Sequence, residues 1–150
     1  IILGKGEDYN SIIQLAKSLN IMDKVEIRSE WVSEEERIAH YYLADLCVFP
    51  SINEPFGIVS LEAMAMEKPI VVGAKGVSGL KEQVIPNGEE RTGVHINGED
   101  PKDIAWGINV VLDNLEEAKK WGVNGRKRVV ENFSIEKTAK ETLRIYESLL

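Results

Sequence analysis

Leu46-Cys47-Val48-Phe49-Pro50-Ser51-Ile52-Asn53-Glu54-Pro55-Phe56-Gly57-Ile58-Val59-Ser60-Leu61-Glu62-Ala63-Met64-Ala65-Met66-Glu67-Lys68-Pro69-Ile70-Val71-Val72 is the stretch on which the fold turns. An apolar strand over 46–49 passes through a loop with two prolines and a glycine into a helix over 58–66. A second apolar strand follows at 70–72. Continuous rather than alternating apolar runs mark strands buried on both faces, as in a parallel sheet covered by helices. The same alternation extends outward in both directions. Before the stretch, Ile1-Ile2-Leu3 reads as a buried strand, and Tyr9, Ile12, Ile13, Ala16 and Leu19 give a helix over 8–19. Val25 to Arg28 is a short β-type run, and Ser33 with Glu36 forms a capping box opening a helix through about Ala44. After the stretch, Gly93-Val94-His95 reads as a weaker strand. Asp100-Pro101 opens a helix carrying Ile104, Ala105, Ile108, Val111 and Leu112, Asn114 is expected to cap the next, and Ser134 the last. That last helix carries the apolar stripe Ile135, Ala139, Leu143 and Tyr146. The expected architecture is a doubly wound parallel sheet in three αβα layers.

The 150 residues, 43% of them hydrophobic, are enough for one domain with a real core. Charged residues are mixed along the chain and sum to −7, a mildly acidic surface that argues against a nucleic-acid partner. The single cysteine, Cys47, lies in an apolar run and reads as a buried hydrophobe, which excludes an intrachain disulfide and a cysteine-based metal site. The apolar runs are too short to span a bilayer, and a reducing, cytoplasmic setting is expected. Because Ile1-Ile2-Leu3 runs straight into Gly4, the chain is expected to be cut from a longer protein.

In a doubly wound sheet the ligand sits beyond the carboxyl ends of the strands, so two loops compete. Gly4-Lys5-Gly6-Glu7-Asp8-Tyr9 begins like a dinucleotide fingerprint, with Glu30 placed as a ribose acid would be. Tyr9 stands where the third glycine belongs, and the loop is read as a tight turn. The second loop, 50–57, enters a helix that is apolar nearly all round except for Glu62. Such a helix is expected to be buried on most sides, and a carboxylate there needs a dedicated partner. A vicinal ribose diol would serve, as would an internal partner such as a backbone amide or a lysine. Glu54, at the mouth of the same helix, suits sugar hydroxyls beside a diphosphate on the helix N-terminus, or simple helix capping. His40 and His95 have no ligand-like neighbours and read as structural; with no Asp-x-Asp triplet either, no metal or other cofactor is expected.

Taken together, Glu54-Pro55-Phe56-Gly57-Ile58-Val59-Ser60-Leu61-Glu62-Ala63-Met64-Ala65 with Lys68-Pro69-Ile70-Val71-Val72 resembles the signature of the retaining GT-B glycosyltransferases of family 4, the glycosyl transferases group 1. The likeness extends through Ala44 to Ser51 and to Phe133-Ser134-Ile135. It implies that residues 1–150 are the Rossmann-like, donor-binding C-terminal domain of such an enzyme, truncated at its N-terminal edge. It implies a UDP-, GDP- or ADP-sugar donor, with the sugar passed to an acceptor hydroxyl with retention of configuration. By the same resemblance Glu54 is the catalytic residue and contacts the donor sugar, while Phe56, Gly57 and Ile58 offer backbone amides near the sugar and diphosphate. Glu62 then binds the ribose, and Trp31 lies near the nucleobase.

Three departures from the family pattern bear on this. Glu67 stands where the family usually has glycine, so the helix end there is expected to forgo the left-handed cap. The segment Gly73-Ala74-Lys75-Gly76-Val77-Ser78-Gly79 differs from the family's usual glycine pair, leaving its role open and Lys75 read as solvated. The cations that similar proteins carry upstream, and their acceptor-binding N-terminal domain, lie outside these residues, so the fragment alone is expected to turn over little or not at all. The rival readings are a nucleotide-sugar epimerase of the same architecture, a noncatalytic nucleotide-sugar-binding domain, and a dehydrogenase dependent on Glu30.

Overall fold

The structure, a computed structural model, describes residues 1–149. The chain divides into two compact units at Arg37. The first contains strand β1 (Ile2–Leu3), helix α1 (Tyr9–Ser18), strand β2 (Ile27–Arg28) and the start of helix α2 (Glu34–Leu43). β1 and β2 are parallel, with Ile2 opposite Ile27 and Leu3 opposite Arg28. Ile1 to Leu3 are exposed, not buried as the apolar run suggests, because this strand has a single neighbour in a two-stranded sheet. The capping box at α2 forms as its sequence dictates: Ser33 N donates to Glu36 Oε2 at 2.8 Å and Glu36 N to Ser33 Oγ at 3.2 Å.

The second unit holds strands β3 (Cys47–Phe49), β4 (Ile70–Gly73) and β5 (Gly93–Ile96) and helices α3 (Ile58–Ala65), α4 (Leu80–Gln83), α5 (Pro101–Leu112), α6 (Leu115–Asn132) and α7 (Ile135–Ser148). The strands form one parallel sheet in the order β3-β4-β5, with Val48, Val71 and Val94 in register. Alternation along β4 feeds two cores. Ile70 and Val72 pack with Leu61, Met64, Leu80 and Val84 on one face; Val71 packs with Val94, Val111, Ala118 and Trp121 on the other. Each of these β4 side chains is fully buried, worth about 2 kcal/mol apiece by area. The layers are thus helix, sheet, helix, and the parallel strands all deliver their carboxyl ends to one edge.

Helix ends follow the sequence with two exceptions. Asp100 Oδ1 accepts from Lys102 N at 2.9 Å, and Ser134 Oγ from Lys137 N at 3.2 Å. Asn114 does not cap α6; its side chain turns back and donates to Val110 O at 3.0 Å, satisfying a carbonyl in the last turn of α5. Glu67 adopts the left-handed conformation expected to be closed to it, with φ of 60°. Lys68 N donates to Ala63 O at 3.1 Å and Glu67 N to Met64 O at 3.0 Å, which is a complete Schellman cap. No residue of α7 is buried, so the stripe read from its sequence is present but faces outward.

A β-carbon at φ of 60° is strained by roughly 1 kcal/mol, so Glu67→Gly is expected to stabilise the chain and raise Tm by about 3 °C. An unchanged or lower Tm in thermal denaturation would show that Glu67 contributes more through its side chain than its backbone costs. His95, half-buried on β5 with Nε2 2.9 Å from Val84 O, is pushed below the usual histidine pKa by burial, partly offset by that hydrogen bond. A lowered folded pKa means that the unfolded chain takes up the proton first, so stability is lost as pH falls through the ordinary histidine range. Chemical denaturation between about pH 7.5 and 5.5 is expected to show a steeper loss in wild type than in His95→Gln. Parallel curves would remove His95 as the cause.

Candidate functional site

The chain leaves β3 at Phe49 and enters a loop whose position is set by backbone pairing. Glu54 bridges in parallel to Ser78: Glu54 N donates to Val77 O at 3.3 Å, and Gly79 N to Glu54 O at 2.8 Å. The approach is so close that a Cβ at Gly79 would collide with Pro55 O. Ser78 is buried and its hydroxyl donates to Gly73 O at 2.7 Å. The glycine-rich segment 73–79 is thus the platform on which the 50–57 loop rests. Lys75 extends from it to Glu99, 3.5 Å away, with both side chains more than half exposed.

The loop ends at Gly57, the N-cap of α3, in left-handed backbone geometry with φ of 84°. A side chain there would strike Leu80 as well as strain the backbone. Glycine leaves α3 with no side-chain cap, so the first amides of the helix keep their hydrogen-bonding capacity and the positive end of its dipole. Ser60, Leu61, Ala63 and Met64 are buried, but Ile58 and Val59 are 65% and 41% exposed, so the helix is less enclosed than its composition suggests. Its first turn forms an open shoulder.

The two carboxylates lie on either side of that helix start. Glu54 is half-buried and its Oε1 accepts from Phe56 N at 3.3 Å, outside the helix, so it does not act as the α3 cap. Glu62 is also half-buried, and Tyr41 Oη donates to its Oε2 at 3.1 Å. A partner expected for Glu62 therefore exists in Tyr41, a buried tyrosine from α2. Glu54, Phe56, Gly57, Ile58 and Glu62 are brought together on one loop and one helix. Trp31 lies in the first unit, between β2 and α2, with its residue surface 86% exposed. Cys47 is buried and its thiol is pushed up to about 11 by desolvation, an inert core position.

Besides Tyr41, four residues that hold this site had no role assigned to them in the sequence reading. Gln83, only 1% exposed, closes α4; its Nε2 donates to Phe56 O at 2.5 Å, and its Oε1 lies within hydrogen-bond reach of the buried Ser60 hydroxyl. That hydroxyl also reaches Gly57 O at 2.7 Å. Arg128 on α6 donates from Nε to Gln83 O and from Nη2 to Glu82 O, both at 2.7 Å. Phe133 places its ring edge-on to Phe56, with centroids 6.4 Å apart. The sequence carried no signal for Gln83, which follows the polar Lys81 and Glu82 in the run from Leu80 to Val84. An open cleft of about 310 Å³ lies alongside, lined by Phe56, Val77, Lys81, Gln83 and Phe133 among others. Among the described residues no group of three or more His, Cys, Asp or Glu could hold a metal ion, and no helix is long and apolar enough to cross a membrane.

Comparison with known proteins bears on what this arrangement belongs to. The model of the family described as glycosyl transferases group 1 matches residues 1–128. An uncharacterized glycosyltransferase of Methanocaldococcus jannaschii is 35% identical over 98% of this chain and 36% of its own length. A D-inositol 3-phosphate glycosyltransferase of Kineococcus radiotolerans is 32% identical over 91% of this chain and 32% of its own length. The solved structure of sucrose-phosphate synthase from Thermosynechococcus elongatus superposes with a TM-score of 0.83 at 34% identity, covering 96% of this chain and 35% of that one. The chain therefore spans about a third of the length of these relatives. The Rossmann-like αβα fold is that of GT-B glycosyltransferases, and the chain belongs to the glycosyl transferases group 1 family.

Proposed function

We propose that the 54–62 segment binds a nucleoside-diphosphate sugar, and that the protein to which this chain belongs transfers the sugar to an acceptor hydroxyl with retention of configuration. The observation that carries this reading is the placing of two carboxylates, Glu54 and Glu62, on either side of a glycine-capped helix start. The amides of Gly57 and Ile58 suit the diphosphate, which the helix dipole also favours. Glu54 is assigned to hydroxyls of the donor sugar, and so to the reacting end. Its bond from Phe56 N is long at 3.3 Å, and a sugar hydroxyl can displace it. Glu62 is assigned to the ribose diol. A carboxylate has about four lone-pair directions, so a tyrosine donor and a diol are compatible on one group. Catalysis further needs positive charge against the departing diphosphate and a domain to hold the acceptor, and both are assigned to the remainder of the protein.

The division of roles is testable on this chain. Backbone amide shifts followed by NMR during titration with UDP, GDP and ADP, and with UDP-glucose, GDP-mannose and ADP-glucose, are expected to centre on Phe56 to Glu62 and to identify the base. Hydrogen bonds to charged groups are worth about 1.5–3 kcal/mol, so each lost carboxylate should weaken binding about tenfold or more. Glu62→Ala is expected to weaken the bare diphosphate and the sugar nucleotide alike, whereas Glu54→Ala should weaken the sugar nucleotide alone. Equal effects of Glu54→Ala on both ligands would overturn the assignment, and shifts centred elsewhere would overturn the site.

A further inference from the structure

The buried carboxamide of Gln83 reaches the site loop from α4, and its geometry fixes more than packing. Its donor bond ends on Phe56 O, the carbonyl of the peptide that leads into Gly57. A trans peptide is planar with its C=O and N–H pointing in opposite directions. Holding the Phe56 carbonyl against Gln83 therefore turns the Gly57 N–H away from Gln83. Gly57, already left-handed at φ of 84°, has no side chain that would resist rotation of that peptide plane. A flipped plane would present a carbonyl, a negative dipole end, where the amide now stands. The other end of the carboxamide meets Ser60, three residues into the cap, so Gln83 spans the whole entry to α3. Volume alone would be met by leucine or methionine at this place. A buried amide with both ends satisfied adds direction rather than net stability.

We infer that Gln83 is a positioning residue, which selects the orientation of the Phe56–Gly57 peptide and so presents the Gly57 amide to the donor diphosphate. The inference rests on the donor-site reading for its ligand, but its structural half can be measured without one. Arg128, bonded to the carbonyls of Glu82 and Gln83, keeps the end of α4 in place for this contact.

Two substitutions test it on this chain. Gln83→Met keeps the volume and removes both hydrogen bonds. Gln83→Glu keeps the shape and makes the donor conditional, since a protonated carboxyl donates to Phe56 O whereas an ionised one repels it. For Gln83→Met, NMR of the free protein is expected to show displaced Phe56 carbonyl and Gly57 amide resonances, with Ala63 and Met64 unmoved. Affinity for whichever of UDP-glucose, GDP-mannose and ADP-glucose binds wild type should fall about tenfold, the loss of one charge-assisted contact. For Gln83→Glu, affinity should stay near wild type at acid pH and fall about tenfold as the introduced carboxyl ionises, with the Phe56 and Gly57 resonances moving in step. The charged groups on the surrounding elements, Glu54, Glu62, Lys81, Glu82 and Arg128, are common to both proteins, so their own titration cancels when each pH is referred to wild type.

A folded Gln83→Met chain with wild-type resonances at Phe56 and Gly57 and binding within about twofold of wild type would overturn the inference. If Gln83→Met does not fold, the pH response of Gln83→Glu decides, and Phe56 and Gly57 resonances that ignore the introduced carboxyl overturn it. If wild type binds none of the three probes, the donor reading fails for them. The free-protein resonances still support or overturn the positioning role.

Discussion

Two backbone hydrogen bonds between segments that are far apart in sequence, Gly79 N to Glu54 O and Glu54 N to Val77 O, fix the end of the second unit where the strands terminate. Ordering a loop residue costs roughly 1–2 kcal/mol of backbone entropy, and the 50–57 loop has no secondary structure of its own to offset that. The pairing converts Glu54 into something close to a strand residue, so its carboxylate emerges from a fixed point. It depends on the missing side chain of Gly79 against Pro55 O, and on Ser78 turning its hydroxyl back to Gly73 O. An isolated surface loop with the same residues would hold neither the Glu54 direction nor the entry angle of α3.

On that frame the polarity of the site has an order. Moving along the chain there is a carboxylate at Glu54, then backbone amides at a helix start, then a carboxylate one turn into the helix at Glu62. A nucleotide sugar has the complementary order of hydroxyls, diphosphate and ribose diol. Two carboxylates near a diphosphate would repel it if nothing stood between them. The amides and the dipole of α3 supply the intervening positive field, and in the proposed reading each acid meets a hydroxyl donor instead of a phosphate. The proposed function draws its force from this match in order, more than from either acid alone.

Much of this was legible in the sequence because it is local. The continuous apolar runs at 46–49 and 70–72, the Ser33 and Glu36 capping box, and the Asp100-Pro101 helix start all encode their structure within a few residues, and each forms close to its expected bounds. The two site acids were visible because a charge in an apolar helix and a carboxylate before Pro-Phe-Gly are both anomalies. What was not legible is non-local. Tyr41 reaches Glu62 across 21 positions, and Gln83 reaches Phe56 across 27. No periodicity marks either partner. Glu67 failed for a different reason: propensity disfavours its left-handed backbone, but the end of α3 is held from outside, and tertiary contacts override a preference of about 1 kcal/mol.

That outside support comes from α6, and it links the two ends of the helix that carries Glu62. Arg126 donates from Nη1 to Ala65 O at 2.5 Å and places Nε 3.7 Å from the Glu67 carboxylate, so the last carbonyls of α3 and its strained cap residue share one cation. The ion pair is exposed and worth little by itself. The bond to Ala65 O satisfies a helix-end acceptor that would otherwise need water. Arg128 lies farther along the same helix and grips the carbonyls of Glu82 and Gln83, while Gln83 holds the entry to α3. A helix fastened at its carboxyl end by Arg126, and at its amino end through Arg128 and Gln83, has little freedom to slide along its axis. Glu62 is therefore held at a set distance from the Gly57 amide, a fixed spacing that the proposed binding of diphosphate and ribose by one ligand would use.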